Sequence, residues 1–112
     1  MNIRALQETV ADAAELLRSL ASEKRLRIVC LLSEAERSVG ALCAALSISQ
    51  ANASQQLAVL RRSGLVRARR VGQTVYYSLA SEAGRSVLEA LCTVYGRSRS
   101  SPARGRANAS RV

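Results

Sequence analysis

Between residues 37 and 81 the chain carries six arginines (Arg37, Arg61, Arg62, Arg67, Arg69 and Arg70) and no aspartate or glutamate. A basic surface of that length suits a polyanionic partner. Within the same stretch Ala51, Ser54, Gln55, Ala58 and Arg62 recur at helical spacing, small or polar, with no leucine or valine among them. An ordinary solvated helix face carries Glu and Lys. This one offers amides and hydroxyls that can hydrogen-bond to base edges. Three cysteines, Cys30, Cys43 and Cys92, bring the chemistry of thiols. Histidine is absent, which removes the most frequent general base and a frequent metal ligand. No P-loop or dinucleotide-binding glycine pattern is present either, so an enzyme is not expected.

The elements that must hold these residues follow from periodicity and capping. Ile3, Leu6, Val10, Ala13, Leu17 and Leu20 form one apolar stripe, with Glu8, Asp12 and Glu15 opposite, which predicts a first helix over 2–20. Ser22 is placed to cap a second helix; its run 28–32 is apolar on every face and should be central and buried. Ser38 can cap a third helix over 39–46. A turn at 47–49 then leads to a fourth over 50–62, with Ala53, Leu57 and Leu60 inward and Gly64 placed to close it. Residues 65–70 and 74–79 are β-rich, and Val71, Gly72 and Gln73 between them predict a hairpin. Ser81 can cap a fifth helix to about residue 95, with Val87, Leu88, Leu91 and Tyr95 apolar. The expected fold is mainly α with a small β-hairpin. A helix–turn–helix followed by a ribbon is the order in which a small domain enters a DNA groove.

A chain of 112 residues fits one small domain, here 1–96, with a core of Leu, Val, Ile and Ala because it has three tyrosines and no Phe or Trp. The net charge of +9 is concentrated as +6 in 37–81 and +5 in 97–112. Residues 97–112 hold the only proline, five arginines and no bulky apolar group before the final valine, which predicts a disordered basic tail. The tail either adds attraction to phosphates or is inert. No apolar run approaches the ~18 residues of a membrane span. The N-terminus is amphipathic and acidic, so no signal peptide is expected. Three scattered cysteines do not make a secreted disulfide framework. A cytoplasmic protein without a membrane partner or cofactor is expected.

The strings LASEKRLRIVCLL, SVGALCAALSISQANASQQLAVLRRSGLV and RARRVGQTVYYSL, in register together, resemble the ArsR/SmtB family of winged-helix repressors. The likeness covers about residues 12–95 and is most specific over 20–79. It implies a winged helix–turn–helix of five helices plus a two-stranded wing, homodimeric through its first and last helices. Two recognition helices would lie in successive major grooves of an inverted-repeat operator on double-stranded DNA, with a wing on each flank. Carried over by position, base-reading residues are Gln50, Ala51, Ser54 and Gln55, and Arg70, Gly72 and Gln73 form the wing tip. Arg61 and Arg62 would contact phosphates or support the wing. Many relatives have histidine at Gln55; glutamine still donates and accepts, with a different preferred base. Repression would follow from blocking polymerase.

Members of the family release DNA on binding a metal ion or on thiol oxidation. The zinc- and nickel-responsive branches use Asp, Glu and His on the last helix, and this chain has no His. The arsenic-type site needs clustered cysteines on the third helix. Only Cys43 stands there, with Ser38 and Gly40 at the earlier positions, and one thiolate is no soft-metal cage. Cys43 therefore reads as a buried small hydrophobe, and no metal site is assigned. Cys30 matches the first of two redox-active cysteines in the thiol-based branch of the BigR, SqrR and HlyU type, which responds to reactive sulfur species or oxidants. The second cysteine of that branch falls at Gly96. Cys92 lies four residues earlier, one turn or about 5.4 Å back on the same helical face. A direct disulfide needs Cα atoms within roughly 7 Å, so it calls for movement of the helix; a polysulfide bridge formed from a persulfide spans more.

Three readings of Cys30 and Cys92 stand: a dithiol switch, core thiols without a sensing role, and a thiolate metal or metalloid site. A repressor that senses nothing, and a non-specific architectural or RNA-binding protein, are the wider alternatives.

Overall fold

Two compact units make up the computed structural model, Met1–Ser81 and a second that begins at Glu82. The structure describes residues 1–96, and the expectation of a disordered basic tail over 97–112 lies outside the described residues. The first unit opens with α1 (Ile3–Glu8) and α2 (Val10–Leu20) where periodicity predicts one helix. The break is at Thr9 (φ −121°, ψ 23°), whose hydroxyl donates back to the carbonyls of Ala5 and Leu6 at 3.4 Å. Such back-bonding competes with regular helix hydrogen bonds. The apolar stripe continues through it, so hydrophobic spacing alone does not register the break.

Next comes α3 (Glu23–Glu34), capped by Ser22, whose hydroxyl accepts from the Arg25 N–H at 3.3 Å. Ile28, Val29 and Leu32 are buried, and α3 touches α2 and the later elements α4 (Val39–Leu46), α5 (Gln50–Arg62) and β3 (Thr74–Leu79). It is central as expected, but not buried on every face. Cys30 is exposed and Leu31 half-buried. Five consecutive residues sweep more than a full helical turn, and packing within this unit covers only one side.

The helix–turn–helix is α4 and α5. Ser38 caps α4 by accepting from Ala41 N–H at 3.1 Å, and Ser49 caps α5 by accepting from Asn52 N–H at 3.0 Å. Between them Ser47 takes a left-handed conformation (φ 55°, ψ 48°), and the Ile48 N–H bonds to the Cys43 carbonyl at 3.2 Å. That one residue reverses the chain sharply enough for the helices to pack. Ala53, Leu57 and Leu60 on the inner side of α5 are fully buried. Gly64 (φ +81°) ends the helix, with Leu65 N–H bonded to the Leu60 carbonyl at 2.9 Å.

The ribbon is β2 (Val66–Val71) and β3, in register from Val66↔Leu79 to Val71↔Thr74. Gly72 (φ +61°) and Gln73 form the two-residue loop, glycine supplying the positive φ that such hairpins need. The sheet has three strands rather than the two expected. A short β1 (Arg37–Ser38) pairs with β3 through Arg37↔Tyr77 and Ser38↔Tyr76, giving the order β1-β3-β2. Two residues show no alternation of their own, so only the partner strand defines this one.

The second unit is α6 (Glu82–Tyr95), on which Gly84 and Leu88 are buried and Cys92, Val94 and Tyr95 exposed. Among the described residues the helical segments are thus six, the expected first helix being divided. Among the described residues no helix is long and apolar enough to cross a membrane.

Candidate nucleic-acid interface

The inner stripe of α5 dictates what its other side presents. With Ala53, Leu57 and Leu60 buried, Ala51, Ser54, Gln55 and Ala58 point outward and are exposed, as are Gln50 at the start and Arg61 and Arg62 at the end. No outward residue is a large apolar one and none is acidic. The face is narrow enough to approach a groove and can donate and accept at Ser54, Gln50 and Gln55. Arg61 and Arg62 also lie in the last turn, where a cation complements the helix dipole.

Polar residues at the shoulder of α5 tie it to the rest of the unit. Gln56 donates to Asn52 Oδ1 at 3.2 Å and accepts from Arg25 Nη1 at 3.2 Å. Arg25 in turn donates to the carbonyls of Ser19 at 2.7 Å and Arg18 at 3.2 Å. One guanidinium therefore joins the end of α2, the start of α3 and the middle of α5. Sequence reasoning did not find this anchor, because Arg25 and Gln56 are far apart in the chain and neither belongs to the outward face.

Strand register sorts the wing arginines. Residues directly opposite one another share a face of the sheet. Val66, Ala68 and Arg70 with Leu79, Tyr77 and Val75 lie on the core side, and Arg67 and Arg69 with Ser78 and Tyr76 on the outer side. Arg69 is engaged within the protein: its Nε and Nη2 reach the two oxygens of Glu36 at 3.0 and 2.7 Å, and its guanidinium carbon sits 5.2 Å from the Tyr76 ring centroid. Arg37 is likewise committed, to Glu34 at 2.8 Å and the Leu31 carbonyl at 3.1 Å. The stretch without carboxylates is therefore not carboxylate-free in space. Arg61, Arg62, Arg67 and Arg70 are exposed and make no ion pair among the described residues.

The hydrogen bond from Arg69 holds the Glu36 carboxyl below the usual carboxylate range, aided by the positive fields of Arg69 and Arg67 and opposed by partial desolvation. A carboxyl lowered on folding adds stability above its ordinary range and loses it only as pH falls through the lowered value. The pair is fully formed at neutral pH.

Between the starts of α4 and α5 and the wing tip lies a groove of about 500 Å³, lined by Ser38, Gly40, Cys43, Gln50, Gln73 and Val75 among others. It brings together Gln50 and Gln73, two of the expected contact residues, and Arg70 is cross-strand neighbour to Val75 on its wall. Gly72 is exposed at the wing tip. Cys43 is half-buried on this wall rather than fully buried as expected, because its side of α4 faces the gap. Cys30 and Cys92 are exposed. On α6 a side chain at position 96 would start 3.7 Å from the Cys92 Cβ, so the two positions adjoin on one helical face.

This geometry has relatives. A family model for "Bacterial regulatory protein, arsR family" matches residues 22–68. The transcriptional activator HlyU of Vibrio cholerae is 43% identical over 85% of this chain and 88% of its own. The chain belongs to the arsR family. Like other ArsR-family proteins it is a DNA-binding transcriptional regulator, not an enzyme. Its fold matches that of the transcriptional repressor BigR from Xylella fastidiosa with a TM-score of 0.80 at 37% identity, over 85% of this chain and 97% of that one. It also matches HlyU designated as reduced, at a TM-score of 0.77, 42% identity and 82% and 97% coverage. A possible ArsR-family regulator from Mycobacterium bovis, described as a homodimeric winged helix-turn-helix DNA-binding domain, matches at 0.74 with 29% identity, over 89% of this chain and 93% of that one.

Proposed function

We propose that this ArsR-family regulator is a homodimeric repressor of an inverted-repeat operator, released by thiol modification at Cys30 and Cys92. The observation that carries the DNA half is the outward face of α5, exposed yet without one acidic or large apolar residue. Gln50, Ala51, Ser54 and Gln55 would read base edges, with Arg61, Arg62, Arg70, Gly72 and Gln73 on the backbone. Dimerisation is supported by exposed Ile3, Leu6, Val10 and Leu17 on α1 and α2 and by Val94 and Tyr95 on α6, large apolar side chains that a lone subunit leaves in water. The M. bovis relative is described as homodimeric. Residues 1–96 would be the DNA-binding and dimerisation domain, acting in the cytoplasm.

The sensing half is supported by two exposed thiols and by kinship with HlyU, one structure of which is designated reduced. Oxidation of two thiols to a disulfide removes two protons and two electrons, which a peroxide accepts; a persulfide donor leaves added sulfur instead. A differential affinity of ~3 kcal/mol is enough for roughly 150-fold release.

The test takes the full chain through a competition assay and then mass spectrometry. The protein should retain one promoter fragment against excess random duplex. After persulfide or peroxide treatment it should lose that fragment and change mass by the loss of two hydrogens or by added sulfur, neither of which occurs in Cys30→Ser. Free alkylation of both thiols after treatment, with DNA binding unaltered, contradicts the switch.

A further inference from the structure

The wing carries an ion pair unlike the others. Arg18–Glu15, Arg27–Glu23 and Arg37–Glu34 join residues three or four apart through one nitrogen each. Glu36 and Arg69 come from segments 33 residues apart and meet through two bonds, with Tyr76 beneath the guanidinium. A bidentate pair fixes orientation as well as distance.

Glu36 itself cannot follow Arg69 outward. The next residue, Arg37, is bonded to Glu34 and to the Leu31 carbonyl at the end of α3, and its backbone is paired with Tyr77 in the sheet. The carboxylate thus stands one residue before the paired edge strand β1, close enough to both Arg67 and Arg69 to feel their charge. Arg70, on the opposite face and next to the groove wall, has no such partner among the described residues.

We infer that Glu36 is a positioning residue that limits the wing's attraction to duplex backbone: it withholds Arg69 from the phosphates, leaving Arg70 on the groove face as a phosphate contact of the wing. Phosphate contacts add affinity for every sequence alike. A wing with both arginines free would hold random duplex and operator alike more tightly. Glu36 limits that indiscriminate attraction. The inference rests on the wing lying against duplex DNA, as proposed above.

Salt titrations of the full chain on a short random-sequence duplex test it. Glu36→Gln keeps the size and an acceptor at an exposed position, so the fold is retained, and it should steepen the plot of log affinity against log salt by about 0.9 per subunit engaged. Arg69→Ala in the native background should leave the slope unchanged. In the Glu36→Gln background the same change should remove the gain. Arg70→Ala should flatten the slope by about one per subunit and weaken all sequences together. The inference is overturned if Arg69→Ala flattens the native slope as Arg70→Ala does, or if Glu36→Gln and Glu36→Gln/Arg69→Ala have equal slopes. A native protein with no affinity for duplex, or an Arg70→Ala variant with unchanged slope, removes the wing from DNA altogether and the inference with it.

Discussion

Ser54→Glu is expected to abolish operator binding while leaving the fold intact. Ser54 stands exposed in the outward face of α5, where no side chain is acidic. A carboxylate there meets phosphates and the acceptor edges of bases with nothing to neutralise it. Like charges brought together at an interface cost several kcal/mol, and each ~1.4 kcal/mol is tenfold in affinity, so a loss of more than about 100-fold follows. The helix does not suffer, since glutamate forms helix somewhat better than serine. Gel-shift titration and thermal melting on one preparation separate the effects. Affinity should collapse while the melting temperature stays within about 2–4 °C of the parent, the range that corresponds to the roughly ±0.5 kcal/mol of a harmless surface change.

Leu57→Ala should do the reverse. Leu57 is three positions away on the same helix, yet its side chain is fully buried in the inner stripe between Ala53 and Leu60. Deleting a buried leucine removes its transfer energy and leaves a cavity, together about 2–5 kcal/mol. Small domains hold only about 5–15 kcal/mol in all, so this is a large share of the total. For a domain of this size each kcal/mol lowers the melting temperature by roughly 4–8 °C. Denaturant unfolding should show a lower midpoint with an unchanged slope, the mark of lost stability rather than a changed unfolded state. An unaffected midpoint would mean that the inner and outer faces of α5 have been exchanged.

That contrast rests on the part of the molecule most legible in its sequence. Ser22 and Ser38 cap the helices they were expected to cap, Gly64 takes its positive φ, and the stripe Ala53, Leu57, Leu60 faces inward. These are local rules, with cause and effect a few residues apart. What sequence reading missed is governed at a distance or by competing local bonds. The break at Thr9 comes from a hydroxyl that hydrophobic spacing ignores. Strand β1 exists only by virtue of Tyr76 and Tyr77. Counting carboxylates along the chain left out Glu36, one residue before the basic stretch, which folds onto Arg69. Cys30 looks buried in an apolar string, but a helix has two sides and only one is packed within this unit. The nine residues expected at DNA are all exposed, and two of them meet in the groove between α5 and the wing.

Selection of bound duplexes from a random library, followed by footprinting and a mass of the protein–DNA complex, tests the central claim most directly. Two subunits presenting paired reading helices should enrich an inverted repeat with half-sites about one helical turn, roughly 10–10.5 base pairs, apart, and Ser54→Glu should recover none of it. A library that emerges unenriched, or a single subunit on an asymmetric site, would contradict the account.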